Sequence, residues 1–331
     1  MIFGGTAEAA DAILRAMASI ARADDDGALS DADVAAIRSA ATILFRFDEP
    51  VDPRALRAIE PAELAAAGVQ GGDALVPMVV IAAVDGELRP AGVDLLRRYA
   101  AAIGVSDSAV DDLDDLVRGH LAEARADMLR RNRESITGEW VEDTGSYGEW
   151  LMPYRTQPDP DLAARYRALA ECPSGSFGHE FARFYAVNGF GFPGEPDSPT
   201  EQFTTPHDSA HVLSGYDTSV QGELLVSTFT AGMHHLEGLA GHILPVIVSW
   251  QLGIPLTELA GSTTGALDAR KLWVAWTRGD ATTADTFSSG WDFWAHVDEP
   301  LQDLRAAMGV PPLDPADTAD GRYPPWYRPS A

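Results

Sequence analysis

Cysteine occurs once in the 331 residues, at Cys172, so the chain alone can build neither a disulfide framework nor a thiolate metal cluster. Cys172 stands in Glu-Cys-Pro-Ser with no partner cysteine or nearby histidine, which marks it as inert. Basic residues are also scarce. Lys and Arg number 24 against 50 Asp and Glu, a formal net charge of −26. A surface of that sign repels phosphate backbones, which excludes nucleic acid as a partner and disfavours anionic lipid headgroups. The first residues carry no basic start and no continuous apolar run, and too many acids for a mitochondrial presequence. Together with the alanine-rich, lysine-poor composition, this leads us to expect a cytoplasmic bacterial protein. Long hydrophobic runs are missing but for residues 238–256, GLAGHILPVIVSWQLGIPL, which approach membrane-span length. Glycines, Pro245, His242, Gln251 and the lack of basic flanks favour a buried helix around an apolar cavity instead.

Strand patterns are nearly absent too, and the expected fold class is all-α. Apolar residues recur at helical spacing from residue 6 to about 135, as in Ala10, Ile13, Leu14 and Met17. Ser30 before DADVAAIRSA and Ser106 before DSAVDDLDDLVRGHLAEARADMLRR mark helix starts. Asp26-Gly27-Ala28-Leu29 and Asp85-Gly86-Glu87-Leu88 form an internal repeat of helix, Asp-Gly turn and helix. The glycine suits a positive φ and the aspartate a capping role, or Asp26, Asp85 and Glu87 share a cation. These paired turns resemble the TerB-like (tellurite-resistance) helical domain. The expected organisation is a TerB-like domain over 1–135, a linker over 136–160 packed down by Trp140, Trp150 and Tyr154, a second domain over 161–314, and a proline-rich tail over 315–331 that need not fold by itself.

The chemistry concentrates in TTPHDSAHVLSG, residues 204–215. Thr205 is a good N-cap and Pro206 fits the first helical position, so a short helix is expected to start here and end at Gly215. His207 and His211, four apart, then share a face and are spaced to chelate one ion. Glu223, in the first turns of the next helix, can reach back over them. Two imidazoles and a carboxylate suit Zn2+, with Fe, Co or Mn as alternatives, and leave a coordination position open. Asp208 lies about 100° around the helix from His207, so it either ligates with distorted geometry or orients a ligand.

H-D-x-x-H followed after eleven residues by Glu resembles the zinc motif of the ubiquinone (coenzyme Q) biosynthesis family numbered four. LAECPSGSFG at 169–178, HVLSGYDTSVQGEL at 211–224, AWTRG at 275–279 and EPLQDLR at 299–305 resemble other segments of that family, over roughly 161–314. The resemblance implies metal binding by His207, Asp208, His211 and Glu223, which would also be the catalytic set. It implies oxidative removal of the ring C1 carboxyl from a prenylated hydroxybenzoate-like or related aromatic substrate. The chain departs from the family in Thr204-Thr205-Pro206, where charged residues are usual, and in the extra histidines after Glu223.

His234, His235, Glu237 and His242 are expected on the helix following Glu223, with His235 and His242 on one face. Phe181, Phe184, Tyr185 and Phe190 fall at roughly helical spacing. His235, His242, Phe181 and Tyr185 are candidates for lining a substrate cavity, with core packing as the alternative for each. The expected partners are a hydrophobic aromatic or isoprenoid small molecule, peripheral contact with a membrane, and a second copy or a biosynthetic-complex partner. Two further functions stand beside the enzyme: a non-catalytic prenyl-lipid scaffold with a structural zinc, and metal-dependent hydrolysis. The second is weakened because Asp208 stands where H-E-x-x-H carries its glutamate base.

Overall fold

The structure, a computed structural model, describes residues 5–23, 27–257 and 261–328. Among them it is all-α, as expected, with sixteen α-helices and no strand. In chain order these are α1 Ala7–Ala21, α2 Asp31–Ile43, α3 Pro61–Ala66, α4 Leu75–Ile81, α5 Pro90–Ala102, α6 Ser108–Arg118, α7 Leu121–Thr137 and α8 Tyr147–Leu151. There follow α9 Pro160–Arg167, α10 Phe177–Asn188, α11 Glu201–Ser214, α12 Val220–Met233, α13 Leu244–Trp250, α14 Ala269–Asp280, α15 Phe293–His296 and α16 Leu301–Ala307. No helix among the described residues is long and apolar enough to cross a membrane. Residues 238–256 divide into a π-helical turn, Gly238–Ile243, and α13.

The chain divides into two compact units, Met1–Leu129 with Leu239–Thr277, and Arg130–Gly238 with Arg278–Ala331. In the first unit α1 is central, packed by α2, α3, α4 and α5 and burying Leu14 and Met17 completely. Gly92 lets α5 approach α1, since a Cβ there would stand 3.2 Å from the Ile20 carbonyl. Ser30 caps α2 through a capping box with Asp33. The start expected at Ser106 falls at Asp107, and the run divides at Gly119, whose φ of +82° closes α6 before α7 begins. Both repeat glycines take the positive φ their turns require, +74° at Gly27 and +86° at Gly86. Asp85 accepts from the Glu87 backbone N–H, and Arg89 pairs with Asp85 at 2.6 Å and Glu87 at 2.9 Å. The Arg89 guanidinium thus pairs with both carboxylates of this turn, while Asp26 lies outside the described residues. Residues 239–277, placed by the sequence in the second domain, fall in this unit. Gln251 bridges the Val84 carbonyl and the Leu267 N–H, and the Trp273 indole donates to the Ala36 carbonyl.

The second unit starts earlier than residue 161, because the segment expected as a linker is fastened into it. The Tyr147 hydroxyl donates to Asn132, Trp150 donates to Gln202, and the Leu151 carbonyl accepts from the Thr200 N–H at the start of α11. The proline-rich segment belongs to this unit as well, with Trp326 and Tyr327 buried. A shared aromatic core of Phe177, Phe181, Tyr185 and Phe293 lies beneath α10. Gly279 permits backbone contact with α12, since a Cβ there would stand 2.0 Å from the Phe229 carbonyl oxygen. Backbone cannot yield as a flexible side chain does. Gly279→Ala is therefore expected to cost about 3 kcal/mol, the upper end for overpacking, read as a lower urea midpoint; an unchanged midpoint contradicts this packing.

Candidate metal centre

Two helices joined by a short turn carry the site. α11 begins at Glu201, five residues ahead of the predicted first position, so Pro206 lies inside the helix and Thr205 is not its cap. Thr200 supplies the start: its carbonyl accepts the Thr204 N–H and hydroxyl. The Thr205 hydroxyl is instead bonded to the buried Tyr166 hydroxyl. Proline has no N–H for the carbonyl four residues back, so α11 forgoes the bond to Gln202 in its second turn. The Pro206 carbonyl also accepts from the Thr286 hydroxyl.

Gly215 closes α11 at a φ of +87°, as predicted, donating its N–H to the His211 carbonyl. The Asp217 carboxylate then accepts from Ser219, and Ser219 caps α12 by accepting the Gly222 N–H. A Cβ on Gly222 would lie 2.0 Å from the Asp217 carboxylate, so only glycine fits between this turn and Glu223. Glu223 is thereby held in the first turn of α12, facing α11.

The two imidazoles lie 4.8 Å apart, centroid to centroid. His211 is fully buried, and its Nδ1 lies 2.9 Å from the Tyr216 carbonyl oxygen. A carbonyl can only accept, so Nδ1 carries a proton and Nε2 is the nitrogen left to meet a cation or a second proton. That Nε2 is buried and has no hydrogen-bond partner among the described residues; Glu223 Oε1 lies 3.5 Å from it. His207 repeats the arrangement, with Nδ1 3.1 Å from Asp208 Oδ1 and Nε2 3.5 Å from Glu223 Oε2. The other Asp208 oxygen accepts from the Tyr185 hydroxyl at 2.6 Å. Phe184 stacks on His211 and Phe203 on His207. One ligand atom from each of His207, Asp208 and His211 also lies within 4.8 Å of the others.

Each imidazole Nε2 stands 3.5 Å from one oxygen of the same Glu223 carboxylate. Such a set is stable only with a cation or a proton among its members. The unpartnered His211 Nε2 and the N,N,O donor chemistry fit a divalent transition metal. Without one, a proton serves. Burial opposes a charge on His207, but Asp208 and Glu223 prevail and push it up from 6.5 to about 10. Burial likewise opposes ionised Glu223, yet the His211 and His207 rings hold it well below its usual 4.5. Burial and the Asp208 carboxylate push the Tyr185 phenol well above its ordinary value, so it donates to Asp208.

The remaining sequence candidates fall elsewhere. α12 ends at Met233, His234 is extended, and Glu237 takes a φ of +53°, so His235 and His242 share no helical face. His235 is exposed in the second unit, whereas His242 is buried in the first. His234 is tied to Asp285 and the Ser135 carbonyl. Phe181 is core behind Tyr185, which alone of the four reaches the site. Sequence reasoning missed the Tyr216 carbonyl, a backbone atom without a residue signature, and the buried Arg278 and Arg305. Basic residues without an acidic partner at spacing are the only trace the latter leave.

For the metal-free protein the two shifts give opposite pH limbs. The raised His207 contributes stability in full below 6.5, lost as pH rises toward about 10. The depressed Glu223 contributes stability present above 4.5 and lost as pH falls. Melting temperature in chelator is therefore expected to decline from pH 6.5 to 10, with a shallower decline in Glu223→Gln; equal slopes would contradict the coupling.

No family model matches the chain, and no curated protein matches it. Among solved structures it is similar to the crystal structure of a protein from Nostoc punctiforme assigned provisionally to ubiquinone biosynthesis. The two are 17% identical over 71% of this chain and 94% of that one, with a TM-score of 0.30. Superposition that loose carries no argument about activity, which rests on the geometry of His207, His211 and Glu223 themselves.

Proposed function

We propose that this chain is a metal-dependent enzyme in which His207 Nε2, His211 Nε2 and the Glu223 carboxylate hold a divalent cation, Zn2+ first and Fe, Co or Mn as alternatives. The observation that carries the reading is the buried His211 Nε2, without a hydrogen-bond partner among the described residues and 3.5 Å from Glu223 Oε1. Asp208 acts behind His207: both its oxygens are engaged, one by the imidazole and one by Tyr185.

The reaction is oxidative removal of a ring carboxyl from a prenylated hydroxybenzoate-like or related aromatic acid: the ring–carboxyl bond breaks, carbon dioxide leaves, a hydroxyl from water takes its place, and a two-electron acceptor takes up the two electrons and two protons released. Support for this substrate is the motif resemblance of residues 161–314. A bound divalent cation supplies Lewis acidity toward the substrate's carboxylate or phenolate. The chain's own residues do the rest. Asp208 and the Tyr216 carbonyl fix the imidazole protons on Nδ1, so neither ring can turn its lone pair away. Phe184 and Phe203 each stack on one ring and hold its plane. The isoprenoid tail would meet the exposed apolar side chains of Val187 and Phe190, at and just beyond the end of α10.

A second reading has its own observation. If Asp208 turned to join His207 and His211, whose ligand atoms it already neighbours within 4.8 Å, the shell would be closed with Glu223. Such a site is structural, and the protein a prenyl-lipid scaffold. Elemental analysis of purified protein is expected to give one metal per chain in wild type and less than a tenth of that in His211→Ala. Equal metal in both would sink the site. Decarboxylation by wild type but not Glu223→Gln supports the enzyme, whereas stoichiometric metal with no turnover of any aromatic acid tried favours the scaffold.

A further inference from the structure

The imidazole of His211 is held by a part of the chain that touches neither His207 nor Glu223. Trp326 packs edge-on against Phe184, centroids 5.1 Å apart, and Phe184 in turn stacks on His211 at 5.3 Å. Tyr327 packs against Gly215, where a Cβ would stand 2.3 Å from its ring. Gly215 is the residue between the His211 helix and the Tyr216 carbonyl that binds His211 Nδ1. Arg305 lies under the Tyr327 ring, 4.4 Å from its centroid. Its guanidinium donates to three carbonyls, Val212 and Leu213 at the end of α11 and Arg328. Gln302 also donates to the Arg328 carbonyl, and Arg183 to that of Pro325.

We infer that residues 325–328, acting with Arg305, are a positioning clamp for the metal ligand His211: Trp326 backs the ring stacked on its face, and Tyr327 fixes the turn that holds its Nδ1. None of these residues is a ligand or touches a reacting atom. Their effect is to choose the tautomer. With the Tyr216 carbonyl in place the proton stays on Nδ1 and Nε2 is free for a cation. Once the turn loosens, the ring is free to rotate and to carry its proton on Nε2, which removes one donor from the site. Arginine suits the task because its planar fork reaches two successive helix carbonyls at once, and its charge opposes the negative end of α11. The inference rests on the proposed metal site, and so its test separates the two.

Zinc affinity is measured by competition with a chromophoric chelator for wild type, Trp326→Leu, Tyr327→Leu and Tyr327→Phe. The leucine variants are expected to bind roughly 10- to 100-fold more weakly, the range for supports behind a ligand. Tyr327→Phe, which keeps the ring over Gly215, is expected to retain wild-type affinity. In chelator-treated protein, the ring proton on His211 Nδ1 is expected as a protected NMR signal in wild type, lost in the leucine variants. A merely structural tail would lower the melting temperature without moving that signal or the affinity. Gln302→Ala removes one of the two donors to the Arg328 carbonyl, the other being Arg305, and substitutes neither buried ring. It is expected to weaken zinc several-fold with full helix content, keeping the test decisive if a leucine variant unfolds. Zinc binding by wild type with unchanged affinity in the leucine variants and Gln302→Ala overturns the clamp alone. Absence of zinc binding by wild type overturns the metal site and the clamp together.

Discussion

The hydrogen bond from His211 Nδ1 to the Tyr216 carbonyl is a local contact between residues five apart, yet most of the second unit is arranged around it. It requires the chain to reverse at the end of α11, which Gly215 alone permits at its φ of +87° with the Tyr327 ring pressed against it. The reversal leaves the last carbonyls of the helix pointing at protein, not water. Arg305 and Arg278 satisfy those of Val212, Leu213 and Ser214. A buried carbonyl left without a donor costs on the order of 1–3 kcal/mol, so the arginines belong to the turn as much as its glycine does.

His207 and His211 are oriented by different means toward the same end. One imidazole gives its Nδ1 proton to a backbone carbonyl and the other to a carboxylate, itself held by the Tyr185 hydroxyl. In both cases the proton is engaged on the far side of the ring, and the lone pairs face Glu223. The turn between the helices then brings the carboxylate within 3.5 Å of both nitrogens. Here the carboxylates of Asp208 and Glu223 have imidazoles for partners, whereas at the first unit's Asp-Gly turn Arg89 neutralises Asp85 and Glu87. The overall charge of −26 thus coexists with two buried guanidiniums whose partners are helix carbonyls.

Helical periodicity, the repeat glycines and the His-x-x-x-His spacing were legible because they depend on neighbours within a few residues. Four apart on a helix means one face wherever the helix packs. The start of α11 was not legible, since Thr205 and Pro206 make a sound local start and only the Tyr166 hydroxyl and the Thr200–Leu151 bond displace it. The assumed helix through His234 to His242 failed for a similar reason: the residues have helical propensity, but the chain leaves the helix at His234, which is tied to Asp285 and Ser135.

By itself, then, the sequence determined an all-α protein, the pairing of His207 with His211, and Glu223 as the acid one short turn away. Tertiary structure decided which imidazole nitrogens are available, that Asp208 stands behind His207, and that residues 239–277 pack with the N-terminal helices. It also brought Trp326 against Phe184, the ring stacked on His211, and Tyr327, more than a hundred residues along the chain, against the turn after the His211 helix. The division has a physical basis. Spacing on a helix is set by backbone geometry, whereas the tautomer of a buried ring is set by whichever acceptor packing brings to its other nitrogen.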